Sequence, residues 1–246
     1  MVNLQFYLLG PPGIYWNGHT LPIPRRQARA LLYRLAMRKE TVTREHLCYL
    51  LWADLPDVAA RRNLTHLMTH LRRALPLDGL IVADADQVML DPDCFWSDTD
   101  AIEQVLGNLT DNNLEELETA ATYYRGAFLS GFSLPCNPEF EAWIRLEQSV
   151  RERIYLDLLK HMLELYQAQH CNLEAIAVGE RYLQTNLLDE DVHQHLIELY
   201  AMSGDRAAAL GQYRRCADAL GRELGVLPLQ KTKRLYLAAL EGRLSA

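Results

Sequence analysis

Residues Asp57 to Leu75, read as D-V-A-A-R-R-N-L-T-H-L-M-T-H-L-R-R-A-L, can bury their apolar side chains in only one way. At about 100° per residue, Ala60, Leu64, Leu67, Met68, Leu71 and Leu75 share one side of a helix. Arg62, His66, Thr69 and Arg73 share the other, with Thr65 and His70 flanking them. A solvated helix face normally mixes carboxylates with basic residues, because opposite charges at i,i+4 stabilise it by roughly 0.2–0.5 kcal/mol per pair. This outer face carries no acidic residue. A rigid stripe of basic and short polar groups suits a negatively charged, hydrogen-bonding partner, and the major groove of DNA is the foremost one. A solvated face that is merely basic has the same pattern, so the helix alone leaves both readings open.

The remaining composition narrows the choice. A chain of 246 residues is long enough for two domains, and 49% apolar residues can build a core for each. No apolar run approaches the roughly 20 residues of a bilayer span. The N-terminus, M-V-N-L-Q-F-Y-L-L-G, lacks the basic start of a secretion signal and reads as a strand, so a soluble, cytoplasmic protein is expected. The five cysteines, Cys48, Cys94, Cys136, Cys171 and Cys216, are scattered and form no C-x-x-C. They are expected to be reduced packing residues rather than a disulfide framework or zinc ribbon. The net charge of −7 looks wrong for a DNA binder until it is divided. Up to residue 80 there are eleven basic and five acidic residues, a net +6, against fourteen basic and twenty-seven acidic in the remainder, a net −13. A basic nucleic-acid module joined to an acidic interaction module has this asymmetry.

In chain order, Leu4 to Leu9 reads as a strand stopped by Gly10-Pro11-Pro12-Gly13. Ile14 to Trp16 and His19 to Ile23 form a hairpin around Asn17-Gly18. A helix follows from about Arg25 to Arg38, with Ala28, Leu31, Leu32, Leu35 and Ala36 inward and Arg25, Arg26 and Arg29 outward. A second starts at Thr43 as N-cap and runs to Trp52, ahead of the Asp57 helix. Leu80 to Ala83 and Gln87 to Leu90, joined by a polar turn at Asp84 to Asp86, make a hairpin in the position of a wing. Three helices followed by such a hairpin constitute a winged helix-turn-helix.

From Asp98 the pattern is helical, with helices expected at about Asp98 to Leu106, Leu114 to Tyr124, Pro138 to Gln169, Asn172 to Thr185, Asp189 to Ser203, Arg206 to Leu224 and Pro228 to Leu240. The stretch Arg125 to Pro138, with Gly126, Gly131 and Pro135, is expected to separate the entry helices from the rest. Leu165-Tyr166 and Leu199-Tyr200 are 34 residues apart, and the same shift relates Glu164 to Glu198, Ala175 to Ala209 and Tyr182 to Cys216. That is the tetratricopeptide period. Ala175 and Ala209 permit close helix pairing, and Tyr213 fills the next gap.

Chemistry beyond binding finds little support. His66 and His70 have H-x-x-x-H spacing, but position 67 is Leu, so the pattern lacks the H-E-x-x-H glutamate, and no metal is expected. Glu115-Glu116 and Asp189-Glu190-Asp191 lie at helix starts, where the macrodipole accounts for them. No nucleophile elbow, Walker motif or catalytic constellation is present, and Tyr166, Tyr182, Tyr200 and Tyr213 are expected to be packing residues. No enzyme activity and no cofactor are expected. Arg62, Thr65, His66 and Thr69, near the start of the basic helix, are the candidates for base contact. His70 joins them, and Arg73 fits phosphate better. Asn63 and Arg72 lie at the edges of the face. Thr43 and Arg44, at the start of the second helix, are candidates to offer a backbone N–H and a charge to phosphate, with capping alone as their alternative role.

The segments R-R-Q-A-R-A-L-L-Y-R-L-A, V-T-R-E-H-L-C-Y-L-L-W and R-R-N-L-T-H-L-M-T-H-L-R-R-A-L resemble the OmpR-like winged helix of bacterial transcriptional regulators of the SARP and AfsR type. D-P-D-C-F-W-S-D-T-D-A-I resembles the segment that joins it to the bacterial transcriptional activator domain, and A-D-A-L-G-R-E-L-G-V-L-P resembles the end of that domain. The expected fold is mainly α with a small β component: a DNA-binding winged helix over residues 1–95 and an all-α, tetratricopeptide-like helical-repeat domain over residues 96–246. The resemblance implies that the third helix enters the major groove and the wing approaches the neighbouring minor groove or backbone. It also implies binding at promoter direct repeats as a homodimer, activation through RNA polymerase, and no membrane association. Asp84 and Asp86 depart from a basic wing, since carboxylates repel phosphate. They favour the alternative of a helical-repeat scaffold or signalling adaptor. Some members of the family continue into further domains, so both a complete small regulator and the N-terminal part of a larger one fit.

Overall fold

The structure is a computed structural model and describes residues 3–37, 39–108 and 114–243. Strand β1 (Leu4–Tyr7) buries Leu4 and Phe6 and pairs antiparallel with β2 (Gly13–Trp16), Leu4 facing Trp16. The Asn17-Gly18 turn, at φ 50° and 79°, returns the chain into β3 (His19–Thr20). Asparagine and glycine tolerate those positive angles, which match the twist of the paired strands. Helix α1 (Arg26–Ala36) follows; Arg38, placed at its end from sequence, lies outside the described residues. Then come β4 (Val42–Thr43), α2 (Arg44–Trp52) and α3 (Asp57–Ala74). Strands β5 (Ile81–Ala83) and β6 (Gln87–Leu90) form the expected hairpin, and β4 pairs with β6 to complete a three-stranded sheet.

Two pairings were not anticipated from sequence. One is the two-residue strand β4. The other is β7 (Phe95–Ser97), which runs parallel to β1 and closes the first sheet in the order β3-β2-β1-β7. Three residues are too few to display an alternating pattern. Ser97 also caps α4 (Asp98–Gly107), accepting the Asp100 N–H at 3.2 Å. The remaining helices are α5 (Leu114–Tyr123), α6 (Pro138–Ala168), α7 (Asn172–Thr185), α8 (Glu190–Met202), α9 (Arg206–Leu224) and α10 (Gln230–Leu240).

The chain forms two compact units, Met1–Leu109 with Thr119–Ile154, and Thr110–Glu118 with Tyr155–Ala246. In the first, the stretch expected to separate elements instead packs onto the winged helix. Leu129 donates to the Leu8 carbonyl (2.8 Å), Ser130 to that of Gly10 (3.0 Å), and Gly10 to that of Ala127 (3.1 Å). Gly10 is at φ 105°, and a Cβ there would lie 3.1 Å from the Cβ of Arg125, so glycine is required twice over. Arg25 and Arg26 are exposed as expected, whereas Arg29 is half-buried, and arginine side chains of α1 lean on rings. The guanidinium groups of Arg26 and Arg29 lie 5.5 and 5.8 Å from the Phe132 ring, and Arg34 lies 5.9 Å from Trp143. Amphipathic periodicity could not foresee this, because the rings come from the far side of residue 125.

In the second unit, Ala175 and Ala209 are buried, as the 34-residue period requires. Gly179 is the closer approach: a Cβ there would stand 2.8 Å from Cδ2 of Leu196. One period later Tyr213 stacks on Tyr236, with centroids 4.3 Å apart. Asp189 caps α8 and Asp205 caps α9. Glu190 accepts the Leu229 N–H at 2.6 Å and the Thr232 hydroxyl, anchoring the start of α10. His193 is buried, with one ring nitrogen 2.9 Å from the Leu187 carbonyl and the other 2.8 Å from Gln212 Nε2. The carbonyl oxygen can only accept and the amide nitrogen can only donate, so Nε2 carries the ring proton, Nδ1 accepts and the ring is neutral; burial pushes its pKa down. Cys48 and Cys216 are buried as expected, whereas Cys136 is exposed, at φ 60°, just before α6.

Two predictions follow from this packing. Burial pushes the Asp98 carboxyl from 3.8 up to about 6, against the opposing pull of the Leu9 and Leu8 N–H groups and Arg125. The folded state therefore holds the proton more tightly, and Asp98 contributes stability that is complete below about pH 4 and lost as pH rises through 6. Asp98→Asn is neutral throughout. The stability of the natural protein relative to this variant should fall by about 2 kcal/mol between pH 4 and pH 7 in urea unfolding. A difference that stays constant or grows would contradict the buried-carboxyl account. Separately, Gly179→Val should cost about 1–3 kcal/mol through overpacking against Leu196. Gly179→Ala should cost clearly less, because helix propensity returns about 1 kcal/mol; thermal denaturation distinguishes them.

Candidate nucleic-acid interface

Helix α3 buries Ala60, Leu64, Leu67, Met68 and Leu71 against α1 and α2. Asp57 in its first turn and Arg72 and Arg73 in its last suit the macrodipole at each end. The opposite side presents Arg62, Thr65, His66, Thr69 and Arg73, all exposed, with Asn63 and His70 half-buried at its margins. Five of the candidates thus stand on one continuous strip. His70 Nε2 is enclosed and, among the described residues, has no hydrogen-bond partner.

The arginines of α3 divide by geometry. Arg61 is held by Asp57, its Nε donating to the two carboxylate oxygens at 3.1 and 2.9 Å. Arg72 donates through Nη2 to the Ile81 carbonyl at 3.4 Å, reaching the first wing strand. Among the described residues Arg62 and Arg73 have no ion pair, so their charge faces solvent undiminished. Sequence reasoning placed Arg72 at the edge of the face but missed its hold on the wing; no local signal carries that bond.

Thr43 and Arg44 are committed within the fold. The Thr43 hydroxyl accepts the His46 N–H at 3.2 Å and so caps α2. Arg44 donates through Nε to the Asp84 carbonyl (2.9 Å) and through its backbone N–H to the Asp86 carbonyl (2.8 Å). Both bonds tie the wing turn to the start of α2. Asp84 is itself a turn residue: its Oδ1 accepts the N–H groups of Asp86 (2.8 Å) and Gln87 (2.7 Å), which hold its carboxyl below the usual range. The Asp84 carboxylate therefore has a local structural role, independent of any partner. His66 and His70 lie one turn apart, and among the described residues no group of three His, Cys, Asp or Glu is placed to hold a metal ion. No helix there is long and apolar enough to cross a membrane.

Comparison with known proteins is consistent with this arrangement. The chain is similar to the transcriptional regulatory protein MoaR1 of Mycobacterium tuberculosis, 24% identical over 251 residues that cover 95% of this chain and 78% of MoaR1. It is 27% identical to the regulatory protein AfsR of Streptomyces coelicolor over 253 residues, 96% of this chain but only 24% of AfsR. The solved structure of Mycobacterium tuberculosis EmbR, in complex with a low-affinity phosphopeptide, has the same fold, with a TM-score of 0.72 at 23% identity over 97% of this chain. This chain spans 65% of the EmbR chain. The model of the bacterial transcriptional activator domain matches residues 97–240, more than half of the sequence. The chain therefore belongs to the bacterial transcriptional activator domain family and is a transcriptional regulator of the SARP type.

Proposed function

We propose that this regulator acts as an activator by laying α3 in the major groove of promoter DNA. The observation that carries the reading is the exposed strip of α3, on which Arg62 and Arg73 stand without a carboxylate partner among the described residues while the other face is buried. Arg62, Thr65, His66 and Thr69, with His70 beside them, contact base edges. Arg73 neutralises phosphate. Arg44 reaches phosphate through the guanidinium nitrogens that remain beyond the Asp84 bond, and Thr43 contributes by capping the helix start that carries it. Residues 1–95 serve as the DNA-binding part and residues 96–246 as the activator part, contacting RNA polymerase and pairing two copies on direct repeats. The protein works in the cytoplasm and carries out no reaction of its own.

Duplexes enriched by the protein from fragments of its source genome provide the probe, read by fluorescence anisotropy across a salt series. Arg62→Ala should weaken binding about tenfold or more and relax preference at one base position. Arg73→Ala should weaken all duplexes similarly and lower the salt slope by about one. Unchanged affinity and slope in both variants would remove α3 from the interface.

A further inference from the structure

We propose that Thr65 and Thr69 recognise thymine through their methyl groups; the inference rests on the reading of α3 as the groove helix. The Thr65 hydroxyl donates to the Arg61 carbonyl at 3.0 Å, and the Thr69 hydroxyl donates to the Thr65 carbonyl at 2.9 Å. A hydroxyl has a single hydrogen, so each side chain has committed its only donor to its own helix. The same bond turns the oxygen back toward the preceding turn of the helix. With the hydroxyl engaged there, the γ-methyl is the side-chain group left without a partner. Both residues are exposed and stand one turn apart on the strip, so what each has left to offer a partner is a methyl group, with His66 beside Thr65 and Arg62 and Arg73 beyond them.

This arrangement disfavours guanine and leaves thymine the one base met by apolar contact. Guanine offers the major groove only the N7 and O6 acceptors besides its ring carbons, and a threonine without a free donor cannot satisfy them. Adenine and cytosine present amino hydrogens that the hydroxyl lone pairs can accept. Thymine alone presents a methyl group, and apolar contact with it needs no donor. The spacing of one helical turn, about 5.4 Å, places the two methyl groups over bases one or two steps apart. Guanine recognition is left to Arg62, whose donors are uncommitted, so the strip separates a guanine-reading element from a thymine-reading one.

The test uses the full chain and duplexes it enriches from a randomised pool at low salt. In the tightest duplex each thymine is replaced singly by uracil, which lacks only the 5-methyl, and dissociation constants are measured by fluorescence anisotropy. Uracil at one or two positions should weaken binding about threefold to tenfold. Thr65→Ser and Thr69→Ser keep the hydroxyl and remove the methyl, and each should bind thymine and uracil equally at its own position. Thr65→Val and Thr69→Val should keep the discrimination. If no uracil replacement matters while Arg62→Ala still weakens binding, the methyl reading is overturned and the place of α3 stands. Serine variants that retain discrimination overturn the assignment to these two residues. If neither uracil nor Arg62→Ala has an effect, or no duplex is enriched, the groove reading of α3 fails and this inference falls with it.

Discussion

The carboxylate of Asp98 is fully enclosed and accepts the backbone N–H groups of Leu8, at 2.8 Å, and Leu9, at 3.0 Å, where the chain leaves β1. Strand β1 ends at Tyr7, so these two N–H groups have no place in the ladder with β2, and burying them without an acceptor would cost about 1–3 kcal/mol each. Because Asp98 directly follows β7, satisfying them also fixes β7 beside β1 and starts α4 at the end of the sheet. Thr99 extends the same join, its hydroxyl donating to the Met37 carbonyl at 3.1 Å beyond the end of α1. The match to the activator domain begins at residue 97, yet Ser97 is at once the end of β7 and the cap of α4. In the first unit, the family boundary is thus not a boundary in packing.

The excess of basic charge before residue 80 has several uses, and only one of them points outward. Arg26, Arg29 and Arg34 lie over aromatic rings, contacts worth about 0.5–2 kcal/mol each. Arg44 and Arg72 hold the wing, and Arg61 pairs with Asp57. What remains on α3 is a narrow strip with Arg62 and Arg73 toward its two ends. Net charge therefore identified the right segment while overstating the surface it supplies. Asp84 has the reverse history: an acidic residue in a wing looks like a repulsive element, but its carboxylate closes the turn that shapes the wing.

The helical unit combines small residues with buried polar pairs. Ala175, Gly179 and Ala209 allow close helix approach, whereas the His193–Gln212 and Gln194–Thr232 hydrogen bonds each admit one relative placement of α8 with α9 and α10. Apolar contact alone tolerates sliding; a buried donor without its acceptor does not.

Much of the organisation was legible in the sequence because it is local. The periodicity of Asp57 to Leu75 placed α3 and its buried side, Asn-Gly placed the first hairpin, Thr43 placed the start of α2, and the 34-residue shift placed the repeats. Each depends on residues a few positions apart, or on one helix repeated. The candidate strip was legible for the same reason, since exposure of Arg62, Thr65, His66, Thr69 and Arg73 follows from helical phase. Tertiary structure alone decided what those side chains have left to offer. Whether an arginine faces solvent or lies against Phe132, whether Arg44 is free or bound to a carbonyl forty residues away, and whether Asp98 is a surface acid or the closure of a sheet depend on distant partners. Sequence spacing determines which way a side chain points; only the folded chain determines what it meets there.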